Sequence, residues 1–230
     1  ETGFITATPY CDIADCLLSD APSWLLDRYA VLVVAGDLRG GAEIRDKLES
    51  YVRNGGQLVI TAGNIEQMPG GLLGVTAEDR QERVEGGTAV TVGGETMVEE
   101  QPFDLIALHA PADAKVLGHC GARDVAVEIA AGPGKTIILA SPFGVAAQPA
   151  AEVSEKDAID HPLAKPFPLL RHVRAVVDSV VRGQAVFEAG DGLSVIACRK
   201  APGAYTVGIT NNALQACPFS IPRSPPCAGW

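Results

Sequence analysis

Residues 29–64, YAVLVVAGDLRGGAEIRDKLESYVRNGGQLVITAGN, contain the pattern that decides the fold class. The apolar run Ala30–Ala35 is typical of a strand that is buried on both faces of a parallel sheet. Residues Ala42–Arg53 then place apolar side chains at helical spacing, and Asn54-Gly55-Gly56 ends the predicted helix by supplying left-handed conformations. A second buried strand follows at Leu58–Thr61. This order, with its short glycine turns, predicts a right-handed parallel crossover.

The whole chain is long enough for one large domain with a buried core. It has 230 residues, of which 47% are hydrophobic and only 5% aromatic, as is common in layered α/β proteins. We therefore predict an α/β fold: a flavodoxin-like, mainly parallel sheet with helices on both faces, plus a short C-terminal β unit. The α/β domain is predicted to span residues 4–183. Residues 184–230 are predicted to form the β unit, interpreted as the start of a truncated β-sandwich.

The middle of the chain has a different pattern from its beginning. Residues 67–94 are rich in Gly, Glu and Thr, which favours short hairpins or an irregular insertion. Three apolar segments then follow with glycine turns between them, and they predict an antiparallel meander along one edge of the sheet. These segments are Lys115–Leu117, Asp124–Ile129 and Thr136–Ala140. Pro168–Arg182 is predicted to be a long helix. The predicted C-terminal strands are Ala185–Glu188, Leu193–Arg199 and Tyr205–Thr210.

Charge and motifs exclude several function classes. The formal net charge of −10 argues against a nucleic-acid partner, because phosphate binding needs a basic face. No apolar run approaches the roughly 20 residues of a membrane-spanning helix, so no membrane insertion is predicted. Gly36–Gly41 lacks the dinucleotide-binding fingerprint and the P-loop lysine, and a predicted strand, not a helix, follows Gly132–Lys135. His109, His161 and His172 lack metal-ligand spacing, so neither a cofactor nor a metal is predicted.

The cysteines and the first residues favour an extracellular or cell-surface location. Glu1-Thr2-Gly3 resembles a remnant left after a secretion leader is cleaved. Six cysteines are consistent with an oxidising pathway, although sequence alone does not fix their pairing. Cys217 and Cys227 bracket a proline-rich segment and are the favoured disulfide, and Cys11 and Cys16 are a second candidate pair. Cys120 and Cys198 lie in apolar, strand-like surroundings, which favours buried free thiols.

Residues 29–64 resemble the core of the class I glutamine amidotransferase-like fold. In catalytic members of that family, the strand equivalent to Gln57–Ala62 runs into a sharp turn that carries a nucleophilic cysteine between glycines. Here the turn reads Ala62-Gly63-Asn64, without a thiol, a hydroxyl or an adjacent base. The resemblance therefore implies that this chain keeps the fold of the family but lacks its catalytic nucleophile.

The order of elements also resembles the trimerisation domain of β-galactosidases, which follows a catalytic (β/α)8 barrel and precedes a small β-sandwich. The resemblance covers Thr8 to Thr210 and implies that any catalytic acid pair lies outside this chain. The cysteines, especially Cys11 and the C-terminal pair, depart from it and imply a secreted lineage. The segments that carry the resemblance are Thr8–Ile13 with Asp20-Ala21-Pro22, Leu48–Gly56 with Leu58–Ile60, and Gly132–Lys135 with Ile137–Ala140.

Two candidate sites follow from the residues. Cys120 is the best nucleophile candidate because His119 precedes it, but adjacent residues on a strand point to opposite faces, so a hairpin is the favoured interpretation. A shallow polar site at the carboxyl edge of the sheet is the second candidate, with Asp12, Asp37 and Arg39 as ligand-binding residues. Helix caps and solvated charge are the alternative there. Further aspartates of this cluster are Asp15, Asp20 and Asp27.

The favoured function is therefore structural. We expect a non-catalytic assembly domain of a larger secreted glycosidase-like protein, with a neighbouring domain or a second copy of the chain as its partner. One alternative is an enzyme, either a diverged amidotransferase-like hydrolase or part of a glycoside hydrolase. The other is a stand-alone module that binds a carbohydrate, with a glycan as ligand, or a protein. The structural hypothesis predicts an exposed apolar patch where the partner packs.

Overall fold

The computed structural model describes residues 17–142, 167–182, 193–201 and 204–211. By its internal contacts the chain divides into two compact units, residues 1–178 and residues 179–230. None of the described helices is long and apolar enough to cross a membrane.

The first unit begins with the predicted parallel crossover. Its first elements are α1 (Ser23–Leu26), β1 (Val31–Val33), α2 (Gly41–Arg53), β2 (Gln57–Thr61) and α3 (Ala62–Glu66). Strands β1 and β2 are parallel, with Leu32 opposite Leu58, so the parallel pairing predicted from residues 29–64 is confirmed. The further strands are β3 (Thr76–Val84), β4 (Thr88–Val92), β5 (Glu95–Glu99), β6 (Phe103–His109), β7 (Lys115–Cys120), β8 (Arg123–Ala131) and β9 (Gly134–Leu139), and α4 (Leu170–Arg182) begins in this unit.

The main sheet is mixed, and the predicted flavodoxin-like, mainly parallel sheet with helices on both faces is wrong. Its seven strands have the order β1-β2-β9-β8-β7-β4-β5. Only β1, β2 and β9 run parallel to one another, whereas every pair from β9 to β5 is antiparallel. The result is a curled sheet of the half-barrel kind.

Short turns explain why the parallel pattern stops. A parallel neighbour needs a crossover of a dozen residues or more, but β7, β8 and β9 follow one another through tight turns and must therefore pair in antiparallel fashion. The glycines Gly121 and Gly132, with φ of +61° each, lie in the two turns. The predicted meander is therefore present, but it is not confined to an edge, because β9 pairs with β2 in the interior of the sheet.

Residues 67–94, predicted to form hairpins, contain part of one hairpin and also a strand that lies in a separate sheet. Strands β4 and β5 pair across Gly93 and Gly94, as the glycine punctuation predicted. Strand β3 instead pairs with β6 in a separate two-stranded sheet. Its register shifts between Ala77, opposite Leu108, and Gln81, opposite Ile106, so three residues of β3 stand opposite one residue of β6. A bulge of this kind changes the directions in which the side chains near it point.

Helix α2 packs through one face onto the parallel strands. Its buried residues are Ile44, Leu48, Tyr51 and Val52. The hydroxyl of Tyr51 lies 3.0 Å from the carbonyl oxygen of Tyr29 and 3.2 Å from that of Gln57, so this ring links the helix to the starts of both strands. Burial raises the pKa of Tyr51 far above its usual value.

The second unit contains one described hairpin. Strands β10 (Leu193–Ala201) and β11 (Ala204–Asn211) pair in antiparallel fashion, with Leu193 opposite Asn211. The predicted strands at these positions are thus confirmed. The predicted strand Ala185–Glu188 and both predicted disulfides, Cys217–Cys227 and Cys11–Cys16, lie outside the described residues.

Candidate functional site

The turn after β2, where an amidotransferase-like nucleophile would stand, is the first turn of helix α3. Asn64 of this helix is fully buried. Its Oδ1 accepts a hydrogen bond from the backbone N–H of Leu38 at 2.7 Å. Its Nδ2 donates to the carbonyl oxygen of Gly36 at 3.0 Å and to Oγ1 of Thr61 at 2.9 Å. The side-chain amide therefore makes three hydrogen bonds within the protein, two of them with the backbone.

The hydrogen bonds continue beyond Asn64. Thr61, itself buried, donates from Oγ1 to the carbonyl oxygen of Pro142 at 2.9 Å. Thr61 and Asn64 together join the turn after β1, the end of β2 and the segment after β9. This polar group closes the carboxyl edge of the parallel strands, which is where open α/β sheets bind ligands.

Asp37 and Arg39 lie together on the outside of this closed edge. Nε of Arg39 donates to Oδ2 of Asp37 at 2.9 Å, and Nε2 of Gln67 donates to Oδ1 at 2.8 Å. The hydrogen bond from Gln67, followed by that from Arg39, lowers the pKa of Asp37. Both residues are solvated, and the Arg39 side chain is 84% exposed. Sequence reasoning missed Gln67, which lies 30 residues from Asp37 in the chain.

Of the other predicted aspartates the structure describes Asp20 and Asp27, and neither forms a hydrogen bond or ion pair with Asp37. Asp27 ends helix α1, and its backbone N–H bonds to the carbonyl oxygen of Ser23. Asp20 is exposed in the turn before α1. Asp12 and Asp15 fall outside the described residues. Within the part of the chain that the structure describes, no group of three or more His, Cys, Asp or Glu side chains could hold a metal ion.

Cys120 lies at the end of β7 as a buried free thiol. Burial raises the pKa of this thiol, which opposes formation of the nucleophilic thiolate. His119 does not activate it, because Nδ1 of His119 lies 3.2 Å from Oδ1 of Asp124 on the neighbouring strand. The pair Cys120 and His119 therefore lacks the nucleophile–base contact that covalent catalysis requires.

A groove of about 500 Å³ lies between the β3–β6 sheet and the β7–β8 turn. The bulged strand β3 supplies Glu78, Arg80 and Glu82, which all line the groove. Strand β6 supplies apolar residues, of which Ala107 is exposed, and the β7–β8 turn with the start of β8 supplies Ala122, Arg123 and Asp124. The groove residues on β6 are Leu105, Ile106, Ala107 and Leu108.

Most charges of this groove are already paired. Arg123 forms an ion pair with Glu82 across the groove. Nε2 of His109 lies 3.2 Å from Oε1 of Glu78, and His119 pairs with Asp124 as described above. Arg80 makes neither an ion pair nor a hydrogen bond with another described residue. This groove was not predicted from the sequence. Its only local sign is the set of charged residues Glu78, Arg80 and Glu82, and alternating charges are more typical of a solvent-exposed strand.

Comparison with solved structures shows the fold. The structure aligns with a β-galactosidase from Rahnella sp. R3 with a TM-score of 0.55 and 13% identity, over 87% of this chain and 30% of that chain. A β-galactosidase from Bacillus circulans sp. alkalophilus aligns with a TM-score of 0.49 and 15% identity, over 80% of this chain and 27% of that chain. Gan42B, a GH42 β-galactosidase of G. stearothermophilus, aligns with a TM-score of 0.46 and 19% identity, over 81% of this chain and 26% of that chain.

The likeness is therefore to part of a glycoside hydrolase chain. This chain spans about 30% or less of the length of these β-galactosidases. The comparison shows a shared fold, whereas the resemblance to the class I glutamine amidotransferase-like fold gains no support from it. No protein-family model matches the sequence, and neither does any curated protein.

Proposed function

We propose that this chain is a non-catalytic assembly domain of a larger glycosidase-like protein, and that it self-associates or packs on a neighbouring domain. The fold likeness to about 30% of the Rahnella sp. R3 β-galactosidase carries the proposal, because this fold accounts for only a part of that longer chain. Passage through the secretory pathway stays a prediction that depends on the cysteines.

The polar groups of the described residues support a non-catalytic role. Asn64 stands where a nucleophile is needed, and its amide makes three hydrogen bonds, two with the backbone and one with Oγ1 of Thr61. Cys120 is buried, its pKa is raised, and no base among the described residues contacts it. Neither position offers an activated nucleophile.

Exposed apolar side chains support an assembly role. Trp24 of α1 is 64% exposed and Leu18, in the segment before it, is 74% exposed. Helix α1 directly precedes β1, which is the end strand of the main sheet as described. We name Leu18 and Trp24 the β1-end surface. Large exposed aromatic residues at such a surface are typical of interfaces.

The oligomeric state of the full chain tests this proposal. We expect sedimentation velocity to show a reversible oligomer at micromolar concentration, and Trp24→Glu to weaken the association by at least about tenfold, since a buried aromatic anchor is lost. Val98→Glu is the matched control: Val98 is 49% exposed but lies on β5, at the opposite end of the sheet. A chain that stays monomeric, or an oligomer that both variants weaken equally, would contradict self-association through the β1-end surface.

An activity assay separates the structural proposal from the enzyme alternative. We expect the full chain to hydrolyse neither nitrophenyl β-galactoside nor glutamine. Turnover that Cys120→Ala abolishes would instead establish the enzyme alternative. The matched comparison is Cys198→Ala, which removes a thiol on β10, in the second unit.

A further inference from the structure

We infer that the groove between the bulge of β3 and the β7–β8 turn is a binding site for a neutral saccharide, which Arg80 contacts directly. This inference is independent of the assembly role proposed above, because it depends only on the groove. The groove has a volume of about 500 Å³, which is a common size for a small-molecule site.

Arg80 provides the free hydrogen-bonding capacity of the site. It belongs to the three residues of β3 that stand opposite Ala107 of β6, so the bulge determines where its side chain projects. A guanidinium group offers five N–H donors in a planar arrangement. None of these donors is used by another described residue, whereas the neighbouring groove arginine, Arg123, is paired with Glu82.

The charges of the groove select against ionic ligands. Arg80 and Arg123 face the three carboxylates of Glu78, Glu82 and Asp124, which leaves a formal charge of −1 in the groove lining. Phosphate groups are disfavoured because carboxylates flank Arg80 on both sides along β3. Divalent cations are disfavoured because two guanidinium groups lie among the carboxylates.

A neutral, polyhydroxylated ligand fits the remaining chemistry. Its hydroxyls can donate to carboxylate oxygens, which keep lone pairs beyond those used by Arg123, His109 and His119, and can accept from Arg80. Ala107, the exposed apolar residue of β6 in the groove, can pack against the C–H face of a sugar ring. Because no aromatic side chain of the described residues lines the groove, we expect weak, millimolar binding.

Two-dimensional NMR titration of the full chain tests the inference. The probes are galactose, lactose and cellobiose, with inorganic phosphate as the ionic comparison. We expect saturable shifts at residues 78–82 and 105–108 with at least one of the sugars. Arg80→Ala should weaken binding by about tenfold or more, since it removes hydrogen bonds to a charged donor. Arg53→Ala, which also truncates an exposed arginine but on helix α2, outside the groove, should leave binding unchanged.

A second variant tests sugar binding in the groove without removing a charged side chain. Ala107 is an exposed position of the groove, so Ala107→Phe fills the space without burying a new group in the core and should block the sugar. The inference is overturned if none of the three sugars gives a saturable shift, or if both groove variants bind as the unchanged protein does. It is equally overturned if phosphate, and no sugar, binds at Arg80.

Discussion

The side-chain oxygen of Asn64 lies 2.7 Å from the backbone nitrogen of Leu38, 26 residues earlier in the chain. This hydrogen bond ties the turn after β1 to the helix after β2. The same amide bonds the carbonyl oxygen of Gly36, so the turn is held at both its N–H and C=O groups. One buried side chain thus fixes the carboxyl edge of the parallel strands, the region where the sequence had predicted a ligand site.

Replacement of Asn64 by alanine should destabilise the fold. The change leaves the N–H of Leu38 and the C=O of Gly36 without their partner in a partly buried setting, and we expect a loss of about 2 kcal/mol in the free energy of unfolding. Urea denaturation measures this loss. Gln67→Ala is the control: Gln67 bonds the same turn through exposed Asp37, and its loss should cost less than about 1 kcal/mol. Equal effects of the two variants would show that Asn64 does not hold the edge.

Gly134, the first residue of β9, should not tolerate a side chain. A Cβ atom at this position would overlap the carbonyl oxygens of Val52 in α2 and Gly56 before β2. These are backbone atoms that cannot turn aside, so we expect Gly134→Ala to cost about 3 kcal/mol or more in the free energy of unfolding.

The control for Gly134 is Gly74→Ala. Gly74 has φ of +80° and open space where a Cβ would lie, so only backbone strain of roughly 1 kcal/mol is expected. Urea denaturation of both variants gives the comparison. If Gly74→Ala proves as costly as Gly134→Ala, close packing of α2 against β9 is not the cause.

His172 of helix α4 should make stability depend on pH. Its ring is buried, and neither ring nitrogen makes a well-formed hydrogen bond to another described residue. Burial lowers the pKa of His172, with Arg171 adding to this effect, while Glu99 and the nearby main chain of Val90 and Met97 oppose it. The folded protein therefore binds a proton less readily than the unfolded chain does.

The sign of the pH effect follows from this difference. In the unfolded chain the pKa of His172 is about 6.5. At a pH well above this value, His172 is neutral in both the folded and the unfolded state. As the pH falls below it, the unfolded state takes up a proton first. Stability contributed by the neutral ring is therefore lost on acidification. As the pH is lowered from about 7.5 to about 5.5, we expect the urea concentration at the midpoint of unfolding to decrease. In His172→Leu this decrease should be smaller. An unaltered pH dependence in His172→Leu would refute the prediction.

The candidate sites show where sequence reasoning reached its limit. Asp37 and Arg39 were predicted together because they share one short turn, and they do form an ion pair. Their partner Gln67, 30 residues from Asp37, was not predicted. The groove around Arg80 was missed for the same reason, since Arg123 and Glu82 meet only because β6, β7 and β8 bring distant segments together. Local patterns carry no information about such contacts.

The sequence by itself determined the parallel start of the sheet. The apolar run of β1, the one-sided helix α2 and the glycine stop before β2 are local signals, and backbone handedness leaves one way to join them. Only the tertiary structure decided the rest. Strand β9 pairs with β2 although nearly 80 residues separate them, and β3 leaves the main sheet for β6. These pairings depend on which edge buries the most apolar surface, and that is a property of the whole chain rather than of any segment.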